Sequence, residues 1–162
     1  CSLTMNGLFG AGRVAGGMGI VLAAPPPPPG RGPGAPSVML LVNEVQNTFY
    51  FGGAASGGIA AASSLAGVGA YAIMGRDEED LVTALATKRV HNSGFPDLTF
   101  YEQGLDGALV QDLTRRGHRL SPTPSMGLVN AVFCPAGVPH KKKPECSIHN
   151  DPRGFGLAYG AE

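Results

Sequence analysis

The residues with the most chemical potential form a glycine-rich stretch, Gly52-Gly53-Ala54-Ala55-Ser56-Gly57-Gly58, between a strand-like run and a helix-like one. Glycines at such a junction let backbone amides converge at a helix N-terminus. There they have no intrahelical partner and carry partial positive charge. A turn of this kind can hold the oxyanion that develops during acyl transfer. On residue types alone, a tight turn needed only to pack a helix on a sheet is the simpler reading. The stretch is no P-loop, because no Lys-Ser or Lys-Thr follows its last glycine.

The remaining candidates are weaker. Gly10-Ala11-Gly12-Arg13-Val14-Ala15 matches the dinucleotide fingerprint in form. Gly16, Gly17 and Gly19 would break the helix that fingerprint must open. Cys134, His140, Cys146 and His149 could be four zinc ligands, but their spacing fits no common finger and Lys141-Lys142-Lys143 would repel a cation. Cys134 and Cys146 could equally form a disulfide, which would point to an oxidising compartment, or stay reduced beside a basic loop. His91 and His118 have no evident nucleophile partner and read as surface or helix-end residues. Cys1 is of the type that N-terminal nucleophile hydrolases use, with the free amine as base, yet nothing after it supports that role.

These residues need a scaffold, and the pattern supplies an α+β one. Residues 1–5 look like a strand, and Ile20-Val21-Leu22-Ala23-Ala24 like a short buried strand that stops at the five prolines beginning with Pro25. Residues 25–36 form a Pro/Gly-rich loop. Ser37–Val42 and Thr48–Phe51 bracket a polar turn and predict a β-hairpin. Ile59 to Met74 suits a buried helix. Asp77 can cap a second helix whose apolar face is Leu81, Val82, Leu85 and Ala86. Phe95 to Tyr101 reads as extended, and Asp106 to Arg116 as a helix with Leu109, Val110 and Leu113 inward. Met126 to Phe133 and Gly154 to Tyr159 read as closing strands. Hairpins, helices and further strands in this order describe one layered domain over residues 1–162.

Composition removes several function classes. Twelve basic and twelve acidic residues cancel, leaving no basic field for nucleic acid or anionic lipid. Residues 45–75 lack charge, but Gly, Ala and Ser dominate them and they open on an aromatic strand-like run. A buried strand-turn-helix accounts for them better than a membrane span. With 25 glycines, 14 prolines and only 15% charged residues, the chain favours turns and close backbone contacts over a helical bundle. Because it opens on Cys1-Ser2-Leu3-Thr4, in the manner of a mid-strand, it is expected to be a fragment or a processed product.

Four segments in order resemble the γ-glutamyltransferase family. They are Leu3-Thr4-Met5-Asn6-Gly7-Leu8-Phe9-Gly10-Ala11-Gly12, Gly53-Ala54-Ala55-Ser56-Gly57-Gly58, Arg89-Val90-His91-Asn92, and Asp151-Pro152-Arg153-Gly154 through Gly160. The resemblance implies a four-layer αββα sandwich of the N-terminal-nucleophile hydrolase type, cut autocatalytically from a precursor. It also implies acyl transfer from γ-glutamyl amides such as glutathione, a large subunit of the same precursor as partner, no cofactor, and a periplasmic or secreted location. By the family pattern Thr4 supports the nucleophilic threonine, Asn6 lies in the donor pocket, and Ser56, Gly57 and Gly58 surround the oxyanion.

The same resemblance sets the nucleophilic threonine about fifteen residues ahead of Cys1, and places Cys1 inside the first hairpin. The family's acidic donor-binding segment is replaced by Ala23-Ala24-Pro25-Pro26-Pro27-Pro28, which cannot pair with an ammonium. The alternative is a non-catalytic homologue that keeps the fold as a structural or interaction module.

Overall fold

The computed structural model describes residues 11–25, 37–75, 78–139 and 145–159. Cys1, Thr4, Asn6, Asp77, His140 and most of the Pro/Gly-rich loop lie outside the described residues.

A four-stranded antiparallel sheet in the order β1-β2-β6-β7 forms the body. Its strands are β1 (Ser37–Asn43), β2 (Thr48–Ser56), β6 (Leu128–Val138) and β7 (Ser147–His149). The hairpin joining β1 and β2 is the one the alternating apolar pattern predicts, with a register shift between Leu41 and Val42. One face of the sheet is covered by α1 (Ala61–Met74) and α2 (Glu78–Ala86). Phe51, Ala55, Val129, Ala131 and Phe133 point from the strands into a core closed by Leu65, Val68, Ala72, Leu81 and Leu85. Helix α1 lies very close to the strands. A methyl on Gly53 would come within 2.5 Å of Leu65 Cδ1. The absence of side chains there sets the layer spacing.

The opposite face of this sheet is uncovered among the described residues. Val38, Leu40 and Val42 alternate onto it and are 65, 70 and 55% exposed, and Ile148 joins them. An open groove of about 850 Å³ runs along it between Leu40, Phe49, Ala54, Val132 and Tyr159. The described residues thus supply a helix layer on one face of this sheet and leave its other face open.

A smaller sheet, β3-β4-β5, stands beside the body. It comprises β3 (Val90–Asn92), β4 (Thr99–Glu102) and β5 (Leu120–Thr123). Strands β3 and β4 are antiparallel, and β4 and β5 are parallel across α3 (Gly107–Arg115). Asp106 caps α3 by accepting from the Ala108 N–H at 2.8 Å. Gly117, at φ +88°, ends it.

Several sequence expectations are corrected. Helix α3 has no buried residue, because it packs on the narrow β5 and turns Leu109 outward. In α2 the core face is Leu81, Ala84 and Leu85, whereas Val82 is exposed and so is Ala86. The extended stretch begins only at Thr99, and Phe95 is almost fully exposed. Residues 20–24 are not a buried strand. They pair back on residues 11–15 in an exposed hairpin, with Leu22 N–H donating to the Arg13 carbonyl at 2.9 Å. Residues 154–159 are not a strand: Arg153 fixes the preceding turn by donating to Glu102 and to the Leu85 carbonyl at the end of α2, and the described residues after it pair with no strand.

Cys134 in β6 and Cys146 just before β7 are joined by a disulfide. Two thiolates for a zinc site are therefore not on offer. Among the described residues no cluster of three or more His, Cys, Asp or Glu side chains could hold a metal ion. No described helix is long and apolar enough to cross a membrane.

Candidate functional site

Strand β2 delivers Ser56, exposed, to the edge of the sheet, and the chain then reverses through two left-handed glycines. Gly57 has φ +105° and Gly58 φ +76°, and a short 3-10 turn (Gly58–Ala60) leads into α1. No side chain caps either helical segment. Among the described residues nothing accepts the N–H of Gly57 or Gly58. Two unclaimed amides at the positive end of a helix form a geometry that can accept a negatively charged oxygen. Space is open above Gly58, where an added methyl would meet nothing within 4 Å.

The turn is braced from behind. A methyl on Gly57 would stand 3.0 Å from Gly127 Cα, so the two backbones lie close enough that an added side chain would have to push the neighbour aside. Gly127, at φ +65°, is itself wedged against Ser64 of α1. The peptide that carries it is clamped at both ends. Arg89 Nη1 donates to the carbonyls of Met126 and Gly127 at 3.0 and 2.9 Å, and the Met126 N–H donates to Glu102 Oε1 at 2.8 Å.

Behind this clamp sits a charge-balanced cluster of two arginines and two carboxylates. Arg89 pairs with Asp151 at 2.6 Å. Arg153 forks onto Glu102 through Nε at 2.6 Å and Nη2 at 2.5 Å, and reaches Asp151 at 3.1 Å. Asp151 Oδ2 also accepts the Val129 N–H at 2.9 Å, and Glu102 Oε2 that of Arg89 at 3.0 Å. Burial by itself would raise both carboxyl pKa values. Hydrogen bonds from Arg153, Met126 and Arg89 outweigh it at Glu102, and those from Arg153, Arg89 and Val129 do so at Asp151. Both carboxyls end below their ordinary range. The Glu102 hydrogen bond, against the opposing effect of burial, raises the Arg153 pKa.

Of the residues singled out from sequence, the structure brings Ser56, Gly57 and Gly58 together at one turn; Thr4 and Asn6 lie outside the described residues. His91 does have a hydroxyl partner: its Nδ1 is 2.8 Å from Ser63 Oγ. That oxygen also donates to the Ala60 carbonyl at 3.1 Å. His91 Nε2 has no hydrogen-bond partner among the described residues, so no third group orients the ring as in an activated nucleophile triad. The Arg89–Asp151–Arg153–Glu102 cluster is what sequence reasoning left without a chemical role. Its signal was present in part: in so sparsely charged a chain, Glu102 follows Phe100-Tyr101 in an apolar strand, where an unpaired charge could not be buried.

No family model matches the sequence, and no curated protein matches it. Solved structures do. A mutant γ-glutamyltranspeptidase from Helicobacter pylori aligns with TM-score 0.72 and 20% identity over 95% of this chain and 92% of that one. The γ-glutamyltranspeptidase of Pseudomonas nitroreducens, complexed with L-DON, aligns at 0.69 and 22% over 100% and 92%. The transpeptidase enzyme CapD of Bacillus anthracis aligns at 0.71 and 17% over 100% and 91%. With two sheets and three α-helices among the described residues, and these alignments over nearly its whole length, the chain has the α+β fold of the γ-glutamyltranspeptidases.

Proposed function

We propose that this chain is the small-subunit-like portion of an acyltransferase or amide hydrolase of the γ-glutamyltransferase type. The nucleophilic threonine belongs to sequence ahead of Cys1, and the large subunit is the rest of the same precursor. The observation that carries this reading is the uncapped Gly57–Gly58 turn. Among the described residues it presents two unclaimed N–H groups at the start of a helix, in a fold shared with the γ-glutamyltranspeptidases.

In the proposed reaction the threonine hydroxyl attacks the amide carbon, and the carbonyl oxygen gains charge as the tetrahedral intermediate forms. Gly57 and Gly58 N–H stabilise that charge. Loss of one such donor costs about 10²–10³ in rate. Collapse expels the amine and leaves an ester, which water or an amino acid then takes up. Thr4 orients the nucleophile, and Asn6 and Ser56 contact the donor.

The donor is a γ-glutamyl amide such as glutathione, or a related amide. The neutral Ala23-Ala24-Pro25 stretch points to weakened recognition of the donor's ammonium. The exposed face of Val38, Leu40 and Val42 supports a second sheet from the large subunit as its cover. The Cys134–Cys146 disulfide supports a periplasmic or secreted setting.

The test is incubation of the full-length processed protein with a chromogenic γ-glutamyl anilide, followed by intact mass. Release of the aniline with a transient γ-glutamyl adduct on the N-terminal threonine is the expected result. A processed protein that takes an acyl group from neither this nor any other amide would leave the non-catalytic homologue as the reading.

A further inference from the structure

We infer that Arg89 and Asp151 are positioning residues for the oxyanion turn, acting through the backbone of Gly127. The inference rests on the acyl-transfer reading above, and adds to it the part of the chain that fixes where the two amides point.

The path is short and each step is a contact. Asp151 Oδ2 holds Arg89 Nη2 at 2.6 Å, and Arg89 Nη1 holds the Met126 and Gly127 carbonyls. Glu102 takes the Met126 amide from the other side, so this peptide cannot rotate without breaking buried hydrogen bonds. Gly127 then stands against Gly57 with backbone-to-backbone clearance too small for a methyl. Gly57, at φ +105°, has few steric restraints of its own. Its direction is set by what it leans on. An oxyanion turn works only when its N–H groups are aimed before charge develops, and an error of about 1 Å costs on the order of 10² in rate.

The same layout explains why an arginine serves here. One guanidinium plane reaches Asp151, two successive carbonyls and the Leu85 carbonyl at 3.3 Å. A lysine ammonium could satisfy the carboxylate yet not both carbonyls in that plane.

The experiment uses the full-length processed protein with Arg89→Lys, and with Asp151→Asn as a second variant should the first fail to fold. Rates are normalised to folded protein, and a γ-glutamyl anilide is the donor. The expected result is a roughly 100-fold loss in kcat with KM changed less than about threefold. A boronate analogue, which becomes a tetrahedral anion on the nucleophile, should weaken by a similar factor. A purely structural role would lower the melting temperature and leave kcat per folded molecule unchanged, which overturns the inference.

A double-mutant cycle of Arg89→Lys with Gly57→Ala, read in the unfolding constant, needs no turnover. Coupling of about tenfold between these non-touching residues is expected, and additivity overturns the inference. A wild-type protein that is acylated by no amide donor overturns only the acyl-transfer reading, while this cycle still decides the positioning.

Discussion

Arg89 Nη2 lies 2.6 Å from Asp151 Oδ2, joining positions 62 residues apart in a site where the two side chains are 8 and 2% exposed. The contact ties the segment between α2 and β3 to the turn after β7. Burying such a pair is costly, and here part of the cost is offset: Asp151 also accepts the N–H groups of Val129 and Arg153, and Arg89 donates to the Met126, Gly127 and Leu85 carbonyls.

Removing one partner should therefore be worse than removing both. Asp151→Ala strands Arg89 and should destabilise the fold by about 3–5 kcal/mol, read from urea unfolding. Replacing Arg89 by Met and Asp151 by Leu together should cost less than either single change. The exposed Asp112–Arg116 pair on α3 offers the contrast, since Arg116→Ala should leave the unfolding midpoint almost unmoved.

Acid should unfold the domain through the same cluster. Glu102 and Asp151 have folded pKa values below their ordinary 4.5 and 3.8. A carboxyl depressed on folding contributes stability that is complete above its unfolded pKa and is lost as pH falls through the folded one. Stability is expected to hold to about pH 5 and to fall below about pH 4. In Glu102→Gln the unfolding free energy starts lower, and its slope between these pH values is shallower. An unchanged slope would assign the acid limb to other carboxylates.

Gly57 and Gly58 make a matched pair for substitution. Both have positive φ, so alanine at either is strained by about 1–2 kcal/mol. At Gly58 nothing else is met, whereas at Gly57 the new methyl presses on the Gly127 backbone. Gly57→Ala should thus lower the thermal midpoint clearly more than Gly58→Ala. Equal effects would mean that the Gly57–Gly127 contact yields without cost.

The Cys134–Cys146 bridge closes a loop of 12 residues between β6 and β7. The chain-entropy model assigns a loop of this size about 3 kcal/mol. Cys146→Ser should lower stability by about that amount, and a reductant should then have no further effect on the variant.

What could be read from sequence follows from how local each signal is. The β1–β2 hairpin, α1 and the Asp106 cap are written in alternation, apolar spacing and a capping side chain, all within a few residues. The glycine turn was also legible as a strand-to-helix reversal, because Gly57-Gly58 directly follow Ala54-Ala55-Ser56. The ionic cluster was not, since its four members come from positions 89, 102, 151 and 153 and meet only through the tertiary fold. Residues 20–24 and 154–159 misled for a related reason. Their apolar residues resemble buried strands, yet burial depends on what lies above them, and among the described residues nothing covers Val21, Leu157 or Tyr159.

The uncovered face of the main sheet supplies the last prediction. Val38 and Leu40 both lie on it, 65 and 70% exposed, along a groove of about 850 Å³. A broad apolar sheet face in water promotes association, either with a natural cover or with other copies. Lysines at both positions should raise the concentration at which the isolated chain begins to scatter light. Because the replaced side chains contribute little to this domain's own core, its melting should shift by no more than about 0.5 kcal/mol in stability. The same double variant, placed in the full-length protein, should lose the association between the two processed portions during gel filtration. If the portions stay together, the second sheet of the sandwich is not seated on this face.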